Sequence, residues 1–152
     1  MIGLNIRVKN ATDKYLFKIF ARIDLSEYSW EISDNYIINP KLKVSEQGFF
    51  CGNVLSGDVF SKCISVDQYY MVYADIKAYP SGSEHTEIVT YKDYLASECR
   101  LVLLCTDVTF IDIYCKDEHI LKKIHQNCLA SSFEKVSLFT ETDDSRTRMS
   151  IW

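Results

Sequence analysis

Hydrophobic and polar residues alternate with a period of two along several short segments of the chain. In the first segment, residues 2–9, aliphatic side chains occupy the even positions and mostly polar ones occupy the odd positions. This alternation is typical of a strand that buries one face. Alternation and strand propensity together predict further strands over residues 28–33, 35–39, 69–79, 101–105, 108–115, 136–140 and 147–152.

Apolar residues spaced three and four positions apart predict helices between these strands. Leu16, Ile19, Phe20 and Ile23 form such a stripe in a helix over residues 13–22, and Phe17 is expected in the core beside them. Further helices are predicted over residues 55–63, 91–98 and 118–131, and a loop over residues 40–47. This order of elements favours an α+β fold with a mostly antiparallel, mixed sheet of about six to eight strands and helices packed mainly on one face.

The composition fits one globular domain that spans residues 1–152. Hydrophobic residues make up 47% of the chain, which supplies a core and excludes a disordered protein. With 5 glycines, 2 prolines and a net charge of −4, the chain suits neither glycine-rich phosphate loops nor a nucleic-acid partner. The sequence shows neither a signal-peptide pattern nor an apolar run as long as a membrane span, so we expect a cytoplasmic protein without a membrane partner.

The predicted strand over residues 69–79 separates two kinds of side chain. Its even positions form an apolar face that we expect under the helices, whereas its odd positions form an aromatic and ionic face that we expect to be open to solvent. The strand over residues 108–115 repeats the contrast, with Phe110, Asp112 and Tyr114 on the polar side. The residues expected to share this face and to bind a partner are Tyr73, Asp75, Lys77, Asp112, Arg146, Arg148 and Trp152.

Aromatic residues and arginine are enriched where proteins bind other molecules. We therefore expect a non-catalytic binding or regulatory protein. Its partner would be another protein, a second copy in a homodimer, or a toxin in an immunity-type role, the last by analogy with small acidic bacterial domains. A plainer alternative is that tyrosines and ion pairs simply solvate an exposed sheet.

An enzymatic alternative rests on Asp75-Ile76-Lys77, which matches the acidic-x-Lys element of metal-dependent nucleases. In a small metal-dependent hydrolase or nuclease, Asp75 and Asp112 would hold Mg²⁺ and Lys77 would lie near the attacked phosphate.

The six cysteines fit a cytoplasmic protein whose reduced thiols act as small apolar side chains. Cys99, which precedes Arg100, is the best placed of them for a reactive thiol. A zinc site would have to use four residues whose spacing matches no standard pattern, namely Cys115, His119, His125 and Cys128. We therefore predict no cofactor and no metal site, and we assign no catalytic residue.

Three segments, residues 73–80, 101–107 and 144–152, carry a resemblance to a known family, as do Tyr15-Leu16 with Ile19 and Tyr28-Ser29-Trp30. The chain resembles an uncharacterised family of small proteins from Gram-positive, spore-forming bacteria, a domain of unknown function. The resemblance covers the whole chain and implies a stand-alone cytosolic protein. It supplies no catalytic or cofactor-binding residue to assign.

Overall fold

A computed structural model describes residues 1–40, 48–66 and 68–152. The strands are β1 Gly3–Arg7, β2 Tyr28–Ile38, β3 Val54–Ser56, β4 Tyr70–Pro80, β5 Leu101–Thr106, β6 Phe110–Cys115 and β7 Lys135–Phe139. The helices are α1 Tyr15–Ile19, α2 Gly57–Ile64, α3 Tyr91–Ala96 and α4 Glu118–Ala130, with a 3-10 turn at Leu25–Glu27. The predicted loop over residues 40–47 lies, except for its first residue, outside the described residues.

The seven described strands form one sheet in the order β3-β2-β4-β5-β6-β1-β7. Every pair of neighbouring strands is antiparallel. The predicted α+β class is confirmed, because helices pack on a sheet whose strands are antiparallel. Both the hairpins and the helical connections return the chain antiparallel to the preceding strand.

Three helices cover one side of the sheet, here called the first face. α1, α2 and α4 bury Leu16, Phe60 and Ile124 against apolar strand residues in one core cluster. Trp30 of β2 stacks on Phe60 of α2, with ring centroids 4.0 Å apart and an angle of 8° between the planes. A Cβ at Gly57 would lie 2.0 Å from the carbonyl oxygen of residue 25, so this close approach of α2 to the 3-10 turn requires glycine.

The opposite side of the sheet, the second face, carries a core of its own and is not the open surface that the sequence predicts. The short helix α3 and the segments around it bury strand residues there. The buried members of this second core are Tyr79, Ile88, Tyr94, Cys99, Val102, Leu104, Tyr114, Phe139 and Met149. Because Val102 and Leu104 of β5 are apolar, the centre of this face needs a cover, and α3 with residues 144–152 supplies it.

Two irregularities in the β2–β4 pairing move side chains between the faces. The register skips Ser33 on β2, between the pairs of Ile32 and Asp34, and it skips Val72 on β4, between the pairs of Tyr36 and Ile37. One extra residue in a strand reverses the alternation beyond it. Tyr69 and Met71 therefore lie in the core under the helices, and their predicted place beside Tyr73 is wrong.

Residues 144–152 are named the covering segment, and they cross the second face without forming the strand predicted over residues 147–152. Arg148 forms an isolated antiparallel bridge with Thr90, and the amide of Met149 donates to the carbonyl oxygen of Val89 at 2.9 Å. Phe17, expected in the core, is 44% exposed because α1 begins at Tyr15 and turns that position outward. None of the helices in the described ranges combines the length and the apolar character that a membrane crossing requires.

Candidate functional site

The second face carries a fully buried ion pair within one strand. Asp75 and Lys77 lie two residues apart on β4 and therefore on the same face. The Lys77 ammonium Nζ lies 2.5 Å from Asp75 Oδ1, and each residue is 3% exposed. Val102 and Leu104 of β5 stand beside the pair in register. Two opposite charges buried this closely neutralise each other, which makes the pair structural.

Asp112 of β6 is held by two neighbours from distant parts of the chain. Asn5 Nδ2 donates to its Oδ1 at 2.7 Å, and the Arg146 guanidinium donates to its Oδ2 at 2.9 Å. Arg146 also donates to the carbonyl oxygen of Ser150 at 3.2 Å. Both carboxylate oxygens thus have a donor, and the Arg146 contact fastens the covering segment to β6.

Asp75 and Asp112 do not form a shared metal site. Leu104 of β5 stands between them in register, so their strands are two steps, about 10 Å, apart. Lys77 and Arg146 occupy the two carboxylates instead. Among the described residues, no group of three or more His, Cys, Asp or Glu side chains is arranged to hold a metal ion.

Three aromatic side chains and one carboxylate meet where β2 and β4 emerge from under the cover. Trp152 donates from its indole Nε1 to Asp34 Oδ2 at 2.7 Å. Its ring stands edge-on to Tyr73, with centroids 5.4 Å apart and an angle of 72° between the planes. Tyr36, the register partner of Tyr73 on β2, lies 5.9 Å from it on centroids. We name Asp34, Tyr36, Tyr73 and Trp152 the aromatic surface.

The members of this aromatic surface contact one another and yet are largely open to solvent. Trp152 is 67% exposed and Tyr36 is 51% exposed, whereas Tyr73 and Asp34 are half-buried beneath them. Large aromatic side chains that stay exposed in a fixed position form the kind of surface at which proteins bind other molecules.

The structure brings six of the seven predicted binding residues to the second face and leaves one apart. Tyr73, Asp75, Lys77 and Asp112 project from their strands, and Arg146 and Trp152 of the covering segment reach down to Asp112 and Asp34. Arg148 is exposed and meets Thr90 through its backbone.

The sequence pattern does not place Asp34 and Tyr36 on this face, because it predicts two separate strands over residues 28–33 and 35–39. Both residues lie in the single strand β2, and the skipped Ser33 places them on the second face with Ser29 and Glu31. The adjacent Ser33-Asp34-Asn35, which are poor strand formers, were the sequence signal for such an irregularity.

A serine and a histidine also meet near this face. His85 Nε2 lies 3.2 Å from the Ser29 hydroxyl, and its ring stacks on Tyr79 at 4.0 Å. His85 Nδ1 is buried and has no hydrogen-bond partner among the described residues. A catalytic Ser-His pair needs a further group to orient the imidazole through that atom. The contact between the two side chains holds the segment after β4 against β2.

Four of the six thiols are buried, and burial keeps them protonated. Desolvation raises the pKa of Cys99, Cys105 and Cys128 to about 12 and that of Cys115 to about 11. Cys99 donates its S–H to the carbonyl oxygen of Leu101. A thiol that stays protonated is a poor nucleophile, so the Cys99 environment does not suit catalysis.

Comparison with known proteins finds one family across the chain. The family model described as "Protein of unknown function (DUF2691)" matches residues 1–150. The chain is similar to the uncharacterized protein YncE of Bacillus subtilis (strain 168), with 29% identity over 150 residues that cover 98% of each chain. No solved structure matches the chain. The predicted resemblance to an uncharacterised family is confirmed to this extent.

Proposed function

We propose that this chain, which belongs to the DUF2691 family, is a non-catalytic binding protein that holds a partner protein at its aromatic surface. An origin in a Gram-positive, spore-forming bacterium, a cytoplasmic location and a single domain over residues 1–152 are parts of the same proposal.

The observation that carries the proposal is the fixed and exposed side chain of Trp152. The hydrogen bond to Asp34 and the edge-on contact with Tyr73 hold its ring in one place. Tryptophan and tyrosine dominate the binding energy of protein interfaces, because they bury a large area and lose little side-chain freedom. A ring that is already held in place loses still less on binding.

The other polar groups of the second face support binding over catalysis. Lys77 is bound to Asp75 beneath the cover, and Arg146 is bound to Asp112. A hydrolase would need such a carboxylate or ammonium group to be free for its substrate or metal. The exposed rings lie beside these pairs, and they need no change in the fold to meet a partner.

The test compares Trp152→Ala with Leu129→Ala, whose side chain is 58% exposed on the solvent side of α4, across the sheet from the aromatic surface. Immobilised wild-type protein should retain a partner from a native bacterial extract, and the purified partner should bind wild type and Leu129→Ala equally. Trp152→Ala should weaken this binding at least ten-fold, the effect of losing one dominant interface residue.

Sedimentation velocity over a range of concentrations decides whether the partner is a second copy. If wild type and Leu129→Ala form a dimer and Trp152→Ala does not, the result supports the proposal that the aromatic surface binds a second copy of this protein. The proposal is overturned if the wild-type protein is a monomer and its purified partners bind Trp152→Ala as tightly as they bind wild type.

A further inference from the structure

Two of the six cysteines lie close together at one corner of the molecule, and neither belongs to the buried set. Cys51 is exposed in a bend before β3, and Cys63 is half-buried near the end of α2. We infer that a peroxide oxidises these two thiols to a reversible disulfide, which makes this corner a redox-sensitive site. The inference goes beyond the proposed function, because it uses neither the aromatic surface nor a partner.

Aromatic packing brings the segment before β3 onto α2. Phe50 stacks on Phe60, with ring centroids 5.8 Å apart and an angle of 10° between the planes, and both rings are buried. Cys51 directly follows Phe50 in the chain. Cys63 lies three residues after Phe60 and therefore on the same side of the helix. The contact between the two rings thus carries both cysteines to the same place.

The two cysteines also interact directly. The sulfur of Cys63 interacts with the thiol of Cys51 and with its backbone N–H. Hydrogen-bonding contacts of this kind weaken steeply with distance, so the two sulfur atoms are neighbours. The amide of Ile32 on β2 donates to the carbonyl oxygen of Asn53 at 2.7 Å, which holds the chain on the other side of Cys51. Cys51 itself lies outside the helices and strands, so its backbone can make the small adjustment that a disulfide needs.

Exposure separates this pair from the other thiols and decides which sulfur reacts first. The other four thiols are at most 5% exposed, which keeps a peroxide away from them; they are Cys99, Cys105, Cys115 and Cys128. Burial raises the pKa of Cys63, and the neighbouring Cys51 thiol raises it further. Cys51 is therefore the thiol that meets the peroxide, and Cys63 is the thiol that completes the disulfide.

The reaction consumes one molecule of hydrogen peroxide. The Cys51 thiolate attacks one oxygen, the O–O bond breaks, and the sulfenic acid of Cys51 forms while the other oxygen leaves as water with the proton of the thiol. The Cys63 thiolate then attacks the Cys51 sulfur, the S–O bond breaks, and hydroxide leaves with the Cys63 proton as a second water. Two molecules of a low-molecular-weight thiol reverse the oxidation by exchange and leave as their own disulfide.

The disulfide closes a loop that contains the edge strand β3. In the described sheet β3 has one neighbour, β2, and it lies at the end of the strand order. The loop begins before β3 and ends in α2, so the bond ties both ends of this strand to the helix. Because a short closed loop opposes local opening, the amides of β3 should exchange with solvent at least about three-fold more slowly in the oxidised protein.

The test oxidises the reduced, folded protein with hydrogen peroxide and then alkylates the thiols that remain. The mass of the protein before alkylation should fall by two hydrogen atoms, dithiothreitol should reverse this loss, and peptide mapping should find Cys51 joined to Cys63. Cys51→Ser and Cys63→Ser should each abolish the cross-link. In Cys63→Ser the sulfenic acid should persist on Cys51 and be captured by dimedone, whereas Cys51→Ser should give no such adduct.

A displaced thiol provides the matched control. The double variant Cys63→Ser, Ser61→Cys keeps the number of thiols but moves one of them by two residues, about 200° around α2. It should form at least about ten-fold less cross-link within the chain than wild type, because a disulfide requires the two side chains to point toward each other. Circular dichroism checks that each variant is folded.

Three results would overturn the inference. They are a disulfide that joins two copies through Cys51, an equal yield of cross-link in the displaced variant, and a peroxide-treated protein in which both thiols remain reduced. Equal amide exchange of β3 in the reduced and the oxidised protein would contradict the fastening of the edge strand.

Discussion

The indole Nε1 of Trp152 donates a hydrogen bond to Oδ2 of Asp34, a residue 118 positions earlier in the chain. Together with the Arg146–Asp112 contact, this bond fixes the covering segment at two points across the sheet, on β2 and on β6. The buried Asp75–Lys77 pair lies on β4, between these two strands in the sheet. One segment thus closes the second core and positions the exposed ring of the aromatic surface.

A double-mutant cycle measures the Trp152–Asp34 bond. Trp152→Phe removes the donor but keeps a ring, and Asp34→Asn removes the charge of the acceptor. We expect a coupling free energy of about 0.5–1.5 kcal/mol in urea unfolding, because the acceptor is charged but the pair is partly exposed to water. Strictly additive effects of the two substitutions would show that the bond does not hold the covering segment.

The two arginines of the covering segment provide a matched pair of variants. Arg146→Ala should lower the free energy of unfolding by about 1–3 kcal/mol, since it leaves a half-buried Asp112 oxygen without its charged donor. Arg148→Ala should change it by less than about 0.5 kcal/mol, because that side chain is exposed. Chemical denaturation of both variants checks this prediction, and equal losses would contradict it.

Alternation of apolar and polar residues predicts the two faces of a strand correctly where the strand is regular and wrongly where its register shifts. Alternation predicts Asp112 and Tyr114 on one face of β6 and Ile113 on the other. The two cores confirm this for Ile113, which lies in the first-face core, and for Tyr114, which lies in the second-face core. On β4 the same rule failed for Met71, because the skipped Val72 changes the face of every residue before it. A skipped residue depends on the partner strand, which a single sequence does not display.

The sequence does not predict the cover of the second face, for a related reason. Residues 146–152 have strand-like alternation, with Met149 opposite Arg148, but they cross the sheet and pair through one bridge. Alternation shows that one side of a segment is buried, and Met149 is indeed buried. It does not show whether that side faces an edge neighbour or the surface of the sheet below.

The buried ion pair gives a prediction that separates charge from packing. Lys77→Met leaves Asp75 buried without its partner and should cost about 3–5 kcal/mol of unfolding free energy. The double variant Asp75→Leu, Lys77→Met should recover most of that loss, since two apolar residues of similar volume suit a buried site.

Lys122→Met, at an exposed position of α4, is the matched control and should stay within about 0.5 kcal/mol of wild type. Urea unfolding of the four proteins tests the prediction. A double variant no more stable than Lys77→Met would mean that the pair contributes something apolar side chains cannot replace.

The buried thiols make the fold sensitive to alkaline pH. Burial raises the pKa of Cys99, Cys105 and Cys128 from 9.0 to about 12, so between these values the unfolded chain releases protons that the folded protein keeps. The unfolded state then binds fewer protons, and the free energy of unfolding must fall as pH rises from about 9 toward 12. Each thiol contributes a slope of up to about 1.4 kcal/mol per pH unit.

Urea unfolding at pH 8, 9 and 10 in the presence of a reductant measures this slope. The contribution of these thiols to the free energy of unfolding should be nearly constant below pH 8. It should decline steeply above pH 9. Cys128→Ala should have a lower free energy of unfolding at pH 8, because the substitution leaves a cavity. Above pH 9 its free energy of unfolding should fall less steeply with pH than that of wild type, by the contribution of one proton, up to about 1.4 kcal/mol per pH unit. An unchanged slope in Cys128→Ala would contradict the assignment of that proton to the buried thiol of α4.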